Sequence, residues 1–212
     1  MRKLSEPIRH EDANLRRFAE LVLGTAVEVL VNSIATFVNG QVRFQELLAK
    51  KGAQSLTEPG EIDDWIKHHS LLIAHYLTCR QLDDFLSGTP PGKHRDDGYA
   101  WQYFPNPEDW AAEFSRIPTP PRVVRDRVNK ALLHLTFSDP LLKSNSRLFS
   151  VDYTIYVLRG LELFLRRVEG GPVDESFRAR ALESVVKFRA AFEPMVEANT
   201  REWRARGGVP QP

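Results

Sequence analysis

The spacing of apolar side chains constrains this chain more than any other feature. Over several long stretches, apolar residues recur at steps of three, four or seven, which is the repeat of one side of an α-helix. No stretch alternates apolar and polar residues with a period of two over the length of a strand, and no strand–turn–strand punctuation occurs. The sequence therefore predicts an all-α fold.

Proline and glycine divide these stretches into helices. We predict helices over residues 12–50, with a break or bend at Asn39 and Gly40, over 61–86, from 107, over 122–137, over 150–168 and from 174, with a bend at Pro194. We expect these helices to form one domain, residues 1–206, a bundle of five or six helices in long antiparallel hairpins, followed by a flexible tail, 207–212.

Each long helix has an apolar stripe that we expect to face the core. On the first helix the stripe is Phe18, Val22, Ala26, Val29, Ser33, Phe37, Phe44 and Leu48, and on the second it is Ile62, Trp65, Ile66, His69, Leu72, Ile73, Tyr76 and Leu77. On the last two helices the stripes are Tyr153, Val157, Leu161, Phe164 and Val168, and Phe177, Ala181, Val185, Phe188 and Phe192.

The net charge of +1 conceals an uneven distribution. Residues 54–115 hold four basic and eleven acidic groups, a net −7, whereas residues 116–167 hold ten basic and four acidic groups, a net +6. Two interpretations stay open. Either the acidic and basic helices lie side by side within the chain, or the basic block forms a face for phosphate groups.

The cellular location is predicted from cysteine and from hydropathy. Cys79 is the only cysteine, so it forms no internal disulfide, and in its apolar helix we expect an inert side chain. The N-terminal residues lack the apolar stretch of a signal peptide, and the apolar residues 21–38 are interrupted by polar ones. We expect a cytoplasmic protein that does not associate with a membrane.

The pair that best suggests chemistry is Arg127 and His134, in the sequence RVNKALLH. Seven residues on a helix amount to nearly two full turns, so both side chains project from the same side, about 10 Å apart along the axis. An arginine can hold a phosphate through two hydrogen bonds, and a histidine can move a proton near neutral pH. These are the groups that metal-free cleavage of RNA requires.

The helical bundle with this Arg-x6-His motif resembles the HEPN superfamily. Residues 79–86, Asp96 and Asp97, and the motif itself are also similar to uncharacterised bacterial proteins with HEPN-like bundles, over about residues 61–168. The resemblance implies a metal-independent endoribonuclease of a toxin or defence type that forms a homodimer, with a neutralising partner protein. It implies Arg127 and His134 as catalytic residues, without a cofactor or a metal.

Neighbouring basic and polar side chains complete the expected site. Asn129, Lys130, Arg122 and Arg125 are predicted to bind the substrate. Val128 follows the arginine where the family has a polar residue, with Asn129 one place later, so either the register is shifted by one or the nuclease site has decayed.

A structural interpretation competes with the catalytic one. In it, Arg127 pairs with Asp83 or Asp84 on the long second helix, with Arg80 as another structural partner candidate, while His134 caps or packs.

Other clusters have weaker interpretations. His68, His69 and His75 lie on one helix, but metal ligands on a helix usually stand three or four residues apart, so we expect no metal site. The aromatic residues of the loop 99–110 are expected to pack beneath the loop, with a ligand-binding or partner-binding patch as the alternative.

Two classes of function follow. The first is RNA binding or cleavage by an HEPN-like bundle. The alternative is a non-catalytic helical interaction module that forms homodimers or binds a partner protein.

Overall fold

A computed structural model of the chain describes residues 12–49, 56–89, 98–119 and 151–205. Within these ranges all regular secondary structure is helical, which confirms the predicted all-α class. The α-helices are α1 (Asp12–Phe18), α2 (Gly24–Ala49), α3 (Pro59–Ser87), α4 (Pro107–Phe114), α5 (Val151–Arg167) and α6 (Glu175–Ala205). The predicted helix over 122–137 and the tail 207–212 lie outside the described residues.

The four long helices form a bundle of two antiparallel hairpins. The helix α2 packs on α3 and on α6, and α5 packs on α6 and on α3. The ring of Phe18 stacks on Phe85 and Ser33 meets His75, so α2 and α3 run in opposite directions. His75 also hydrogen-bonds Thr154, and the ring of Phe85 also contacts the ring of Phe164. Because both residue numbers increase together in these two pairs, α5 runs parallel to α3. The contacts of Arg159 with Glu193 and of Glu162 with Arg189 set α6 antiparallel to α5, so the long antiparallel hairpins of the prediction are confirmed.

The first predicted helix continues through Asn39 and Gly40, so the break expected there is absent. Its irregularity lies earlier, in a π-helical turn, Ala19–Leu23, between α1 and α2. The buried apolar side chains of this segment follow one another by three or four positions, and they are Leu15, Ala19, Leu23, Val27, Leu30 and Ile34. Because a π-turn contains more residues than an α-turn, side chains four positions apart along it stay on the same side of the helix.

The predicted stripe on this first helix is therefore wrong in part. Val22 is 54% exposed and Val29 is 36% exposed, whereas Ser33 is buried as expected. The helix carries apolar residues around much of its circumference, and the neighbouring helices cover a different side from the one that the spacing favoured.

The helix α3 shows the same kind of difference. Leu72 and Tyr76 are buried as predicted, but Ile62, Ile66 and Leu77 are among the exposed large apolar residues. The buried side of α3 instead contains several polar side chains, namely His68, His75, Thr78 and Asp83. Periodicity of apolar residues could not find this side, because polar residues such as His75 and Asp83 are buried with hydrogen bonds to other helices.

An aromatic layer covers the ends of α3 and α5. Tyr99, Trp101 and Tyr103 are buried around a 3₁₀ turn, Ala100–Tyr103, as the packing interpretation predicts. The Tyr103 hydroxyl donates to the carbonyl of Leu15, 2.8 Å away. The Trp110 indole donates to the carbonyl of Leu86, also at 2.8 Å. Here the long loop is part of the main core.

The second hairpin follows the sequence closely. All five residues of the predicted α5 stripe are buried. Of the α6 stripe, Ala181 and Val185 are buried, whereas Phe177, Phe188 and Phe192 are partly buried and pack against the core. Gly170 has a φ of 73° in the turn between the two helices, a conformation that glycine adopts without strain. Asp174 then caps α6, since its carboxylate accepts from the Phe177 amide at 2.8 Å.

Candidate functional site

The predicted catalytic and substrate-binding residues lie outside the part of the chain that the structure describes. They are Arg127, His134, Asn129, Lys130, Arg122 and Arg125. Their roles stay predictions, and the sites described below are built from other residues.

The three predicted structural partners lie on α3, and each has a contact within the described residues. Arg80 forms an ion pair with Asp84, one helical turn later, at 3.0 Å. The neighbouring Asp83 is fully buried and accepts a hydrogen bond from the Tyr153 hydroxyl at 2.9 Å. The pairing of Arg127 with either carboxylate stays a prediction.

The imidazole of His75 is buried and contacts three other polar side chains. Its Nδ1 lies 2.8 Å from the Ser33 hydroxyl on α2, and its Nε2 lies 2.8 Å from the Thr154 hydroxyl on α5. The sulfur of Cys79, one turn along α3, lies 3.6 Å from the same Nε2. Three helices of the bundle therefore meet at one histidine.

The direction of these hydrogen bonds follows from the number of hydrogens available. The Ser33 hydroxyl donates its only hydrogen to the carbonyl of Leu30 at 2.8 Å. It must then accept from His75, which places the ring hydrogen on Nδ1. At Nε2, both the Thr154 hydroxyl and the Cys79 thiol lie within hydrogen-bond reach. Both ring nitrogens of His75 therefore have hydrogen-bond partners.

Burial gives this cluster little capacity for acid–base chemistry. It lowers the pKa of His75 to about 4, because the charged imidazolium loses its hydration. Because a buried thiolate also loses its hydration, burial raises the pKa of the Cys79 thiol to about 12, and burial raises the pKa of the Tyr76 hydroxyl in the same way. At neutral pH neither a thiolate nor an imidazolium is present, so the arrangement holds the helices in register. The sequence did not reveal Ser33 and Thr154 as partners because they lie on other helices.

Charged side chains on the second hairpin form a network. Glu162 on α5 accepts from Arg166 at 2.9 Å and from Arg189 on α6 at 2.7 Å. Glu193 accepts from Arg159 and from Arg189, each at 2.8 Å. The basic side chains of this hairpin are therefore largely matched by glutamates. The described ranges contain no group of three side chains suited to hold a metal ion.

An open groove runs between α2 and α3, near the N-terminal end of α2. Its volume is about 820 Å³. Its apolar lining includes Phe18, Leu21, Val22, Val29, Leu82 and Phe85. Leu21 and Val22 are 59% and 54% exposed, which is unusual for large apolar side chains standing side by side. These two residues lie in the π-turn that leads into α2 and form part of the groove lining. We call them the α2 ridge and the cleft the α2–α3 groove.

The helical segment Asp12–Thr36 contains this ridge and, within the described ranges, is the one helix long and apolar enough to cross a membrane. This is a matter of length and composition alone, and 39% of its most apolar stretch is buried against the rest of the chain. The absence of a membrane stays a prediction.

Comparison with known proteins adds no relative. No protein-family model matches the chain, and no curated protein or solved structure matches it either.

Proposed function

We propose that this chain binds or cleaves RNA without a metal ion, through Arg127 and His134. The proposal takes its residues from the Arg-x6-His motif and from the resemblance to the HEPN superfamily. An all-helical bundle with a long connection between α4 and α5, in which the motif lies, is compatible with that resemblance.

The observation that carries the proposal is electrostatic. On α5, Arg159, Arg166 and Arg167 each form an ion pair with a glutamate. The segment 120–150, by contrast, holds six basic and two acidic side chains, a net +4. Most of the net positive charge of residues 116–167 therefore lies in the segment that contains the motif. A phosphate backbone is bound by such a concentration of arginine and lysine.

The choice of His134 is supported by the burial of other histidines and of the cysteine. His68 and His75 are both buried, and the lowered pKa of His75 keeps its ring neutral. Cys79 is fully buried with a raised pKa, so it is a poor nucleophile. These groups lack the exposure that transfer of a proton to or from a substrate needs.

The proposed step is an internal transfer at phosphorus. His134 takes the proton of a ribose 2′-hydroxyl, whose oxygen forms a bond to phosphorus while the bond from phosphorus to the 5′-oxygen breaks. The leaving oxygen receives a proton from water or from a second His134 in a dimer, and the other product carries a 2′,3′-cyclic phosphate. Arg127 holds the phosphate oxygens and stabilises their developing charge.

The test is an assay of labelled single-stranded RNA in the presence of a chelator. We expect cleavage by the wild type and a loss of about 10²–10⁴-fold for His134→Ala. Lys187→Ala, which removes an exposed cation on α6, serves as the matched control and should leave cleavage unchanged. If the wild type and His134→Ala cleave the RNA equally, or if neither protein cleaves it, the nuclease form of the proposal is wrong.

The binding form is tested by salt dependence. We expect the logarithm of the RNA affinity to fall linearly with the logarithm of salt concentration, with a slope smaller by about 0.7 for each phosphate contact removed. Arg122→Ala and Arg125→Ala should reduce the slope, and Lys187→Ala should not. RNA binding that is indifferent to salt, or absent, would contradict a basic RNA face.

The exposed α2 ridge favours a second candidate function, a non-catalytic interaction module that forms homodimers or binds a partner protein. Large apolar side chains beside an open groove are typical of protein-binding surfaces. Such a module would self-associate and would not bind RNA. A neutralising partner protein belongs to the first candidate, since a nuclease of a toxin or defence type requires one.

A further inference from the structure

The N-terminal half of α3 extends beyond the described part of α5. Thr154 hydrogen-bonds His75 and the two helices run parallel, so Val151, at the start of α5, lies level with Leu72. From that level α3 continues back to Pro59, a distance of about 20 Å. The helix α2 packs along α3, whereas α6 packs mainly on α2 and α5. One side of this half of α3 is therefore open to another part of the chain.

That side is the continuation of the side that faces α5. Helical steps of three and four positions lead back from His75 to Leu72, His68, Trp65 and Glu61. Leu72 and His68 are only 5% and 8% exposed, and Trp65 and Glu61 are half-buried. Such burial requires a neighbour at a level that the described part of α5 does not reach. We call these four residues, Glu61, Trp65, His68 and Leu72, the α3 face.

The chain that connects α4 to α5 ends at this level. Residues 120–150 directly precede Val151, so the last of them arrives beside Leu72. The segment contains eleven large apolar side chains, all Val, Leu or Phe. Burying such a side chain stabilises a fold by about 1.5–3 kcal/mol, so a segment of this composition packs on an apolar surface within its reach. The α3 face offers one at the end of the segment.

The charges of the two parts have opposite signs. Residues 56–71, which include the N-terminal half of α3, hold four acidic side chains and one basic side chain, a net −3, whereas the segment 120–150 has a net +4. The carboxylate of Glu61 belongs to the α3 face itself, while Asp63 is exposed on the opposite side of the helix. The attraction between opposite charges strengthens as they leave water, which favours pairing at a half-buried carboxylate.

We infer that the segment 120–150 docks on the α3 face within the same molecule, with its apolar side chains against Trp65 and Leu72 and one of its cations beside Glu61. The inference goes beyond the proposed function, since the contact forms whether or not the chain acts on RNA. It also bears on that function, because RNA then competes with Glu61 for cations of the segment.

Limited digestion of the full chain with trypsin tests the docking, because trypsin cleaves after arginine and lysine and the segment 120–150 holds six of them. Mass spectrometry locates each cut. We expect Trp65→Ala to raise the rate of cleavage within the segment at least tenfold over the wild type. Ile66→Ala is the matched control, because Ile66 is the next residue, is 51% exposed and lies outside the α3 face. This control should leave the rate unchanged, and circular dichroism establishes that both variants keep the helical fold.

The same digestion of Glu61→Gln tests the contribution of charge. Glutamine keeps the side-chain oxygen that accepts from the Thr57 amide at 3.4 Å, so the substitution removes mainly the charge. We expect cleavage within the segment to become about two- to fivefold faster, the effect of losing a partly exposed ion pair. The difference from the wild type should disappear in about 1 M salt, which screens such pairs. Asp63→Asn removes the same charge from the opposite side of α3 and should leave the rate unchanged at either salt concentration.

Two outcomes would overturn the inference. The first is cleavage within the segment of the wild type as fast as in a synthetic peptide with the sequence of residues 120–150. The second is an equal rate for Trp65→Ala and Ile66→Ala or, where Trp65→Ala does not fold, for Glu61→Gln and Asp63→Asn. Neither assay contains RNA, so failure of this inference is distinguishable from failure of the RNA proposal, which the comparison of the wild type with His134→Ala decides.

Discussion

The Ser33 hydroxyl lies 2.8 Å from Nδ1 of His75, although 42 residues separate the two in the chain. The contact ties α2 to α3 in the interior of the bundle, and Thr154 extends the connection to α5 through the other ring nitrogen. A histidine held in this way makes the stability of the fold depend on pH.

The first prediction concerns that pH dependence. The pKa of His75 falls from an ordinary 6.5 to about 4 on folding. Above pH 6.5 the ring is neutral in both states. As the pH falls toward 4, only the unfolded chain takes up the proton, so the free energy of unfolding decreases by about 3 kcal/mol in total.

Urea unfolding of the wild type and His75→Gln, measured at intervals from pH 7.5 to 4, checks this prediction. We expect the difference in unfolding free energy between the two proteins to shrink as the pH falls, because the variant lacks the titrating ring. A difference that stays constant over this range would show that His75 does not keep a lowered pKa in the folded protein.

The second prediction concerns the thiol of Cys79. It is fully buried and its pKa is raised to about 12, so the native protein should react with a thiol reagent more slowly than the unfolded protein by several orders of magnitude. The measurement is the rate of colour formation with a disulfide reagent at pH 8, without and with 8 M urea. Rapid modification of the native protein would mean that the bundle opens readily around α3.

The third prediction compares a buried hydrogen bond with an exposed ion pair. Tyr153→Phe removes the hydroxyl that donates to the buried Asp83, and we expect a loss of about 1–3 kcal/mol in unfolding free energy. Arg80→Ala removes an ion pair whose side chains are 33% and 53% exposed, and we expect a loss below about 1 kcal/mol. Chemical denaturation at pH 7 measures both. The reverse order would mean that Asp83 does not depend on Tyr153.

The fourth prediction concerns two glycines in helices. At Gly160 a methyl group would lie 2.7 Å from a Leu86 methyl carbon and 2.8 Å from the Phe114 ring, both in the core. We expect Gly160→Ala to cost about 1–3 kcal/mol through overpacking. Gly60 has no atom within 4 Å of that position, so Gly60→Ala should be neutral or stabilising by up to about 1 kcal/mol. Thermal unfolding followed by circular dichroism distinguishes the two; equal melting temperatures would contradict close packing of α5 on α3.

The candidate site was only partly accessible to sequence reasoning. The motif at Arg127 and His134 is a local pattern, so the sequence shows it directly, and its chemistry remains a proposal. The groove could not be found from the sequence, because its walls come from two helices and its opening depends on which sides those helices bury.

The sequence by itself determined the helical class and many helix boundaries, because caps, prolines and glycines act within one turn of the chain. It also determined the buried side of α5, where all five stripe residues are buried. Only the tertiary structure decided which apolar side of α2 faces the core. The spacing favoured Val22 and Val29, but the π-turn at Ala19–Leu23 and the packing of α3 and α6 bury Leu23, Val27 and Leu30 instead.

The polar interior was decided in the same way. Nothing near His75 in the sequence predicts that Ser33 and Thr154 will satisfy its two ring nitrogens, since those partners stand 42 and 79 residues away. Burial of a polar group depends on partners that folding brings together, whereas the tendency to form a helix is set by neighbours along the chain.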